Sequence, residues 1–179
     1  MSLKSAVRNM FGGGQTGASP AGGIAPAFSL KNLNGSQVSL AEALKKGPVI
    51  AAFFKVNCPT CQFTFPFLER LYESYGGSKF TLWGISQNDA ADTREFCQEF
   101  GIKFPVLLDS HGYPASNDYG ITNVPTLFLV SPAGKIQQTS VGFVKADLEE
   151  LAAEAARATG KPSVPLFKPG EVIPESKPG

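Results

Sequence analysis

The sequence predicts an α/β fold, a mixed central sheet with helices on both faces. Short apolar runs of strand length alternate with longer stretches whose apolar residues recur at steps of three and four. A hairpin and an Ala/Leu/Glu-rich helix then close the chain. A third observation marks where chemistry is to be sought. Two cysteines, Cys58 and Cys61, stand directly after the run Val49 to Phe54, which is apolar enough to be buried on both faces.

Residues 12–27 are rich in Gly, Ala, Pro and Ser, so 1–26 reads as a flexible lead-in. Ala27 to Leu30 and Gln37 to Leu40 flank Asn34-Gly35, a strong hairpin signal. Ser39-Leu40-Ala41-Glu42 is a capping box, which opens a short helix running to about Lys45 before Gly47-Pro48. The buried strand 48–54 follows. Phe65, Leu68, Leu71, Tyr72 and Tyr75 then line one face of a helix, with Pro66 inside it and Gly76-Gly77 at its end. Lys79 to Ser86 reads as a second core strand. Asn88 or Asp89 caps a helix over about 90–100, with Phe96, Cys97 and Phe100 on its inner side. Pro105 to Asp109 is a short strand, and 110–120 a loop or helical turn. Thr126 to Val130 and Ile136 to Val141 form a hairpin about Pro132-Ala133-Gly134-Lys135. Lys145 to Ala158 is helical. The domain thus spans 27–158, and the Pro- and Gly-rich tail 159–179 hugs the surface or stays mobile.

Composition excludes several classes. The chain has 179 residues, a net charge of +1 and no dense Lys/Arg stripe, so neither nucleic acid nor a membrane surface is an expected partner. No apolar run reaches the roughly 18 residues of a membrane span. Met1 to Gly14 lacks the apolar region of a signal peptide, which favours a cytoplasmic location, with export the alternative should a signal have preceded this sequence. Three cysteines are too few for a disulfide scaffold.

The spacing Cys58-Pro59-Thr60-Cys61, after a strand and before a helix, is that of a redox dithiol. The thiolate is the nucleophile in disulfide exchange, and a free thiol, titrating near roughly 8.5, is mostly protonated at neutral pH. A helix N-terminus offers partial positive charge and unpaired N–H groups to a sulfur placed there. Pro59 fits the first helical turn, where its missing donor costs little. Cys58 is therefore expected to attack and Cys61, one turn on, to resolve the mixed disulfide. No cofactor is needed for this exchange.

These residues resemble the thioredoxin superfamily, in particular the redoxin or TlpA/ResA-like proteins related to the alkyl hydroperoxide reductase/thiol-specific antioxidant group. The resemblance covers about residues 25–158. It is carried by Cys58-Pro59-Thr60-Cys61, by Pro66 five positions on, and by Val124-Pro125-Thr126 before the strand Leu127 to Val130. Trp83-Gly84-Ile85-Ser86 through Phe104-Pro105-Val106-Leu107-Leu108-Asp109, and Ser131 to Lys135 followed by Val141-Gly142, match it as well. The resemblance implies a thioredoxin-like fold with an N-terminal β-hairpin and a βα insertion. It implies a thiol–disulfide oxidoreductase acting on protein or small-molecule thiols and disulfides, with a reductant or oxidant partner. It also implies a cis Pro125 against the dithiol, barring metal from the sulfurs and leaving Val124 backbone groups to an extended substrate. Pro59, Thr60, Val124 and Pro125 are thus the expected substrate-binding residues. Two departures stand out. Ala52 occupies the position of a buried acid that helps deprotonate the second thiol, and Asn57 stands where a Trp often precedes the first.

Other functions would require other residues. A peroxiredoxin-like thiol peroxidase would carry P-x-x-x-[T/S]-x-x-C. Counting back gives Lys55 and Ala51 from Cys58, and Cys58 and Phe54 from Cys61, so neither register fits. A zinc site would need Cys58, Cys61, Cys97 and His111, but Cys97 sits on an apolar helix side and reads as core filler, and His111 as a loop residue. A redox-inactive adaptor would not need both cysteines. Lys55 reads as a solvated cation, Trp83 as a core residue near the dithiol, and Asp109 as a turn former. One or two of Phe63, Phe65 and Phe67 are expected to surround Cys58.

Overall fold

The computed structural model describes residues 17–179; residues 1–16, the first part of the expected lead-in, lie outside the described residues. In chain order the elements are β1 (Ser29–Asn32), β2 (Gln37–Ser39), α1 (Leu40–Leu44), β3 (Val49–Phe54), α2 (Pro59–Tyr75), β4 (Thr81–Ser86), α3 (Ala90–Glu99), β5 (Val106–Leu108), α4 (Pro114–Asp118), β6 (Thr126–Val130), β7 (Ile136–Val141), β8 (Phe143–Val144), α5 (Lys145–Thr159) and β9 (Ser176–Lys177). Seven strands form one mixed sheet in the order β2-β1-β5-β4-β3-β6-β7. β3, β4 and β5 run parallel, while β6 is antiparallel to β3 and β1 to β5. This is the thioredoxin-like architecture, with the hairpin β1–β2 at one edge and β4–α3–β5 as the insertion.

β3 lies at the centre of the layers. All six of its residues are fully buried. Its side chains alternate between two cores, as the twofold period of a strand requires. Ile50, Ala52 and Phe54 join a core with Cys61, Phe65 and Leu68 of α2, Phe96 of α3 and Leu148 and Leu151 of α5. Val49, Ala51 and Phe53 join the opposite core with Leu40 of α1, Ala115 of α4 and Tyr119, Phe128 and Ile136. Phe54 packs on Phe65 and Phe96 with ring centroids 4.3 and 5.0 Å apart. Burying each such ring contributes about 1.5–3 kcal/mol.

Local chemistry sets the boundaries. Ser39 Oγ accepts from Glu42 N at 3.3 Å, which starts α1, whereas the Glu42 carboxylate takes Lys45 at 2.7 Å. Only the serine half of the capping box therefore forms. In the β1–β2 turn, Asn32 Oδ1 accepts from the N–H groups of Asn34 and Ser36, and Gly35 supplies a φ of +83°. Asp89, one of the two expected caps, accepts from Asp92 N at 2.9 Å. α2 runs through Pro66 as one helix from Pro59 to Tyr75. Among the described residues no helix is long and apolar enough to cross a membrane.

Three regions differ from expectation. Trp83 packs in the α1/α4 core against Phe28, on the face of the sheet opposite Cys61, so it is not beside the dithiol. Its position in β4 opposite Ala51, one residue before Ala52 of the Cys61 face, decides this. Residues 17–26 are held by Ser19 N to Tyr119 O (2.9 Å), Gly22 N to Ile136 O (2.7 Å) and Tyr119 Oη to Pro26 O (2.8 Å). The tail forms an unanticipated two-stranded sheet, β8–β9, and Leu166 is buried in the α2/α5 core.

The tail is fastened by Arg70, whose guanidinium grips both Glu171 oxygens at 2.6 and 2.9 Å, while Lys168 N donates to the same carboxylate at 2.7 Å. The Arg70 hydrogen bond, helped by Lys168 N–H, holds the Glu171 carboxyl down to about 2. A carboxyl lowered on folding stabilises the fold above its unfolded value, near roughly 4.3, and that gain is lost as pH falls toward the folded value. The urea midpoint of the native chain should therefore exceed that of Glu171→Ala at pH 6. The gap should close as pH falls from about 4.5 to 2; a gap constant over that range would refute the contact.

Candidate active site

β3 ends at Phe54, and the next backbone turn carries the chain from the sheet into α2. Cys58 N donates to Lys55 O at 3.3 Å to close it. Two side chains hold the turn from opposite sides: Asn88 Oδ1 accepts from Val56 N at 3.1 Å, and Gln62 Nε2 donates to Val56 O at 2.9 Å. Cys58 is consequently the N-cap of α2, in extended conformation, with Pro59 in the first turn. Its sulfur accepts from Cys61 N at 3.2 Å. Sulfur here does the work an N-cap oxygen does elsewhere, meeting an otherwise unpaired N–H.

The two sulfurs sit in different surroundings. Cys58 is half-buried, whereas Cys61 is fully buried in the α2/α5 core. Burial pushes the Cys61 thiol far above its usual range, and its hydrogen bond with Cys58 pushes it further. Ala52, where an acid would be expected, is fully buried in the same core.

A second loop faces the dithiol. The Val124–Pro125 peptide is cis. The Cys58 thiol donates to Val124 O at 3.3 Å. Thr126 Oγ1 braces the loop through Asn123 O at 2.7 Å, and Pro125 O accepts from Gly142 N at 2.7 Å. Register explains the meeting: Thr126 pairs with Phe53, so the segment before β6 stands beside the segment after β3. Cys58, Cys61 and Val124 are thus brought together. Thr60 is buried and donates to Pro178 O at 2.6 Å, and Pro59 is exposed.

Lys55 and Asn57 are exposed. Phe65 is core, Phe67 packs on Phe167 (5.0 Å), and Phe63 is half-buried against Phe143 (4.9 Å). Cys97 packs against the α2/α5 core, and burial, then the nearby Glu69 charge, pushes it up to about 11. Glu69 itself accepts Lys103 N and Phe104 N with one oxygen, and its other oxygen has no partner. Asp109 is buried, and its two oxygens cap α4 through Ala115 N and Ser116 N. His111 lies in an exposed loop beside Ser110, and among the described residues no group of three or more His, Cys, Asp or Glu is placed to hold a metal ion. A cavity of about 540 Å³, walled in part by Glu42, Lys46, Tyr72 and Trp83, contains neither dithiol cysteine.

Asn88 and Gln62 support the turn without any local sequence pattern that marks them for it. The apolar pair Leu166-Phe167 was the available signal that the tail packs.

Residues 21–139 match the AhpC/TSA family model. The thiol-disulfide oxidoreductase ResA of Halalkalibacterium halodurans is 30% identical over 131 residues, 73% of this chain and 73% of that protein. The thioredoxin-like protein YneN of Bacillus subtilis is 31% identical over 70% of this chain and 75% of its own length. Among solved structures, the thioredoxin domain of a Bacteroides vulgatus thiol-disulfide oxidoreductase superposes with a TM-score of 0.67 at 25% identity, covering 76% of this chain and 97% of that one.

The contrast between the cysteines is open to labelling. Iodoacetamide at pH 8 should modify Cys58 first and leave Cys61 untouched while the chain is folded. Cys97 should react slowly, at a rate that climbs until pH approaches about 11. Peptide mass spectrometry reads all three, and Cys61 reacting as fast as Cys58 would overturn the assignment of environments.

Proposed function

Because the chain belongs to the AhpC/TSA family and carries a dithiol at a helix start, we propose that it exchanges disulfides with proteins through Cys58 as attacking and Cys61 as resolving thiol. It is a thiol–disulfide oxidoreductase of thioredoxin-like fold. What supports the division of roles is the difference in access: Cys58 is half-buried at the N-cap, and Cys61 has no exposed surface. An incoming disulfide meets Cys58 first.

In the reducing direction the Cys58 thiolate attacks one sulfur of a substrate disulfide and expels the other as a thiolate. The Cys61 sulfur then attacks Cys58, forming the Cys58–Cys61 disulfide and expelling the second substrate sulfur. The Cys61 proton ends on that departing sulfur. Such a transfer suits a buried thiol held in its protonated form with Ala52, not an acid, beneath it. The oxidising direction is the reverse. Which one runs depends on the compartment, since a reducing cytosol drives the pair toward dithiol and an oxidising space toward disulfide.

Extended polypeptide is the substrate form that fits. Val124 O and the Thr60 hydroxyl lie beside Cys58 as polar anchors for a backbone, and Pro59 and Pro125 flank them. Cys61→Ser should accumulate mixed disulfides with substrate proteins, seen as higher-mass species lost on adding dithiothreitol. Cys58→Ser should reduce exchange to background and trap nothing. The opposite pattern would reverse the roles.

A further inference from the structure

The groove beside the dithiol is already filled by this chain. Val144 and Phe143 pair antiparallel with Ser176 and Lys177, and Lys145 N donates to Glu175 O at 2.9 Å. The chain then crosses Gly142 so closely that a Cβ there would stand 2.5 Å from Lys177 O; Gly142 has a φ of +76° and no side chain to block the crossing. Pro178 O accepts from Thr60 Oγ1 at 2.6 Å, and Gly179 O from Asn123 Nδ2 at 3.3 Å. Gly179 lies on Val124, where a Cβ would be 2.6 Å from the carbonyl oxygen. That carbonyl is also the acceptor of the Cys58 thiol. Lys177 Nζ caps the Phe63 ring at 5.1 Å.

We propose that residues 175–179 act as an internal competitor for the protein substrate, lying extended in the groove a polypeptide needs and leaving Cys58 open to small disulfides. The proposal rests on the dithiol reading above. Cys58 keeps part of its surface exposed and is flanked by exposed Asn57 and Pro59, so a small molecule reaches it past the tail. An extended peptide does not, because the strand edge at Phe143–Val144, Thr60 and the Val124 loop are all engaged. The tail is also built to swing. It is clamped as far as Glu171 by Arg70, by Tyr75 Oη accepting from Val164 N (2.9 Å) and by buried Leu166. Val172, just beyond the clamp, is 96% exposed. Ile173 still packs on the α2/α5 core, so the anchor reaches that far, and exposed Pro174 joins it to a segment held by a short strand pair and a few polar contacts. Displacing the segment leaves the anchor in place.

The fully reduced chain is mixed with one of two disulfides that share a leaving group. One is 2-hydroxyethyl disulfide. The other is a synthetic ten-residue peptide whose central cysteine is joined by a disulfide to 2-mercaptoethanol. Acid quenching and mass spectrometry follow the Cys58–Cys61 disulfide. Removing residues 175–179 should raise the second-order rate with the peptide about tenfold, the factor for freeing one or two hydrogen bonds, and leave the small disulfide unchanged. The peptide Glu-Ser-Lys-Pro-Gly added to the shortened chain should slow the peptide reaction alone. The full-length Glu171→Ala variant, which loosens the anchor, should move the same way by a smaller factor and serves if the shortened chain does not fold. An equal rise with both disulfides, or no change while exchange proceeds, would overturn the internal competitor and leave the dithiol reading intact. Absence of exchange with either disulfide in the native chain would overturn the dithiol reading itself.

Discussion

β3 has no face toward water. Its residues alternate between two cores, and both are closed by helices, so no position from Val49 to Phe54 is open to a substrate. Reactive groups belong where the strand stops, and a parallel strand with a helix to follow stops at the carboxyl edge of the sheet. Everything at the dithiol follows from that edge. The turn at Lys55–Asn57 delivers the chain to the α2 N-terminus, and the antiparallel register of β6 brings Val124 to the same place from the other side. Moving either strand by one residue would exchange its two faces and part Cys58 from Val124.

The unequal sulfurs follow from helix geometry. An N-cap residue lies at the rim, and three positions later the helix has turned its side chain toward the sheet. Cys58 therefore meets solvent and the Val124 loop, while Cys61 is packed with Phe54 and Leu68. Glu69, the buried acid on the same helix, is two turns further on and is committed to the backbone of Lys103 and Phe104. It stiffens the entry to β5 and does not replace an acid at Ala52.

Where apolar spacing was strong, the sequence was readable. β3, β4, β6, α2 and α5 follow from periodicity, and the N-cap cysteine from a strand–Cys-Pro–helix order, because these depend on neighbours in sequence. Asn88 bonded to Val56, Ser19 to Tyr119, and Thr60 to Pro178 depend on residues 32 to 118 positions apart. No local pattern announces such pairs. The tail shows this most plainly: its prolines and glycines have the composition of an unstructured segment, yet Glu171 and Leu166 find a partner and a pocket on α2 that were formed by residues far upstream. The face taken by Trp83 is equally hidden from local pattern. The strand is readable, but the parity of Trp83 within it is set by pairing with Ala51.

The same parity bears on chemistry within the AhpC/TSA family. A peroxidase of this fold needs a hydroxyl and a proline ahead of its cysteine, arranged so that a peroxide oxygen lies beside the thiolate. Counted back from Cys58, those positions are Lys55, which is exposed, and Ala51, which faces the core on the far side of the sheet. Counted from Cys61 they are Cys58 and Phe54. The group three residues ahead of the buried sulfur is thus another sulfur, hydrogen-bonded to the same helix turn. A second thiol at that point accepts a disulfide bond, and no hydroxyl is present there to bind a peroxide. The site is shaped for sulfur as both attacking and leaving atom.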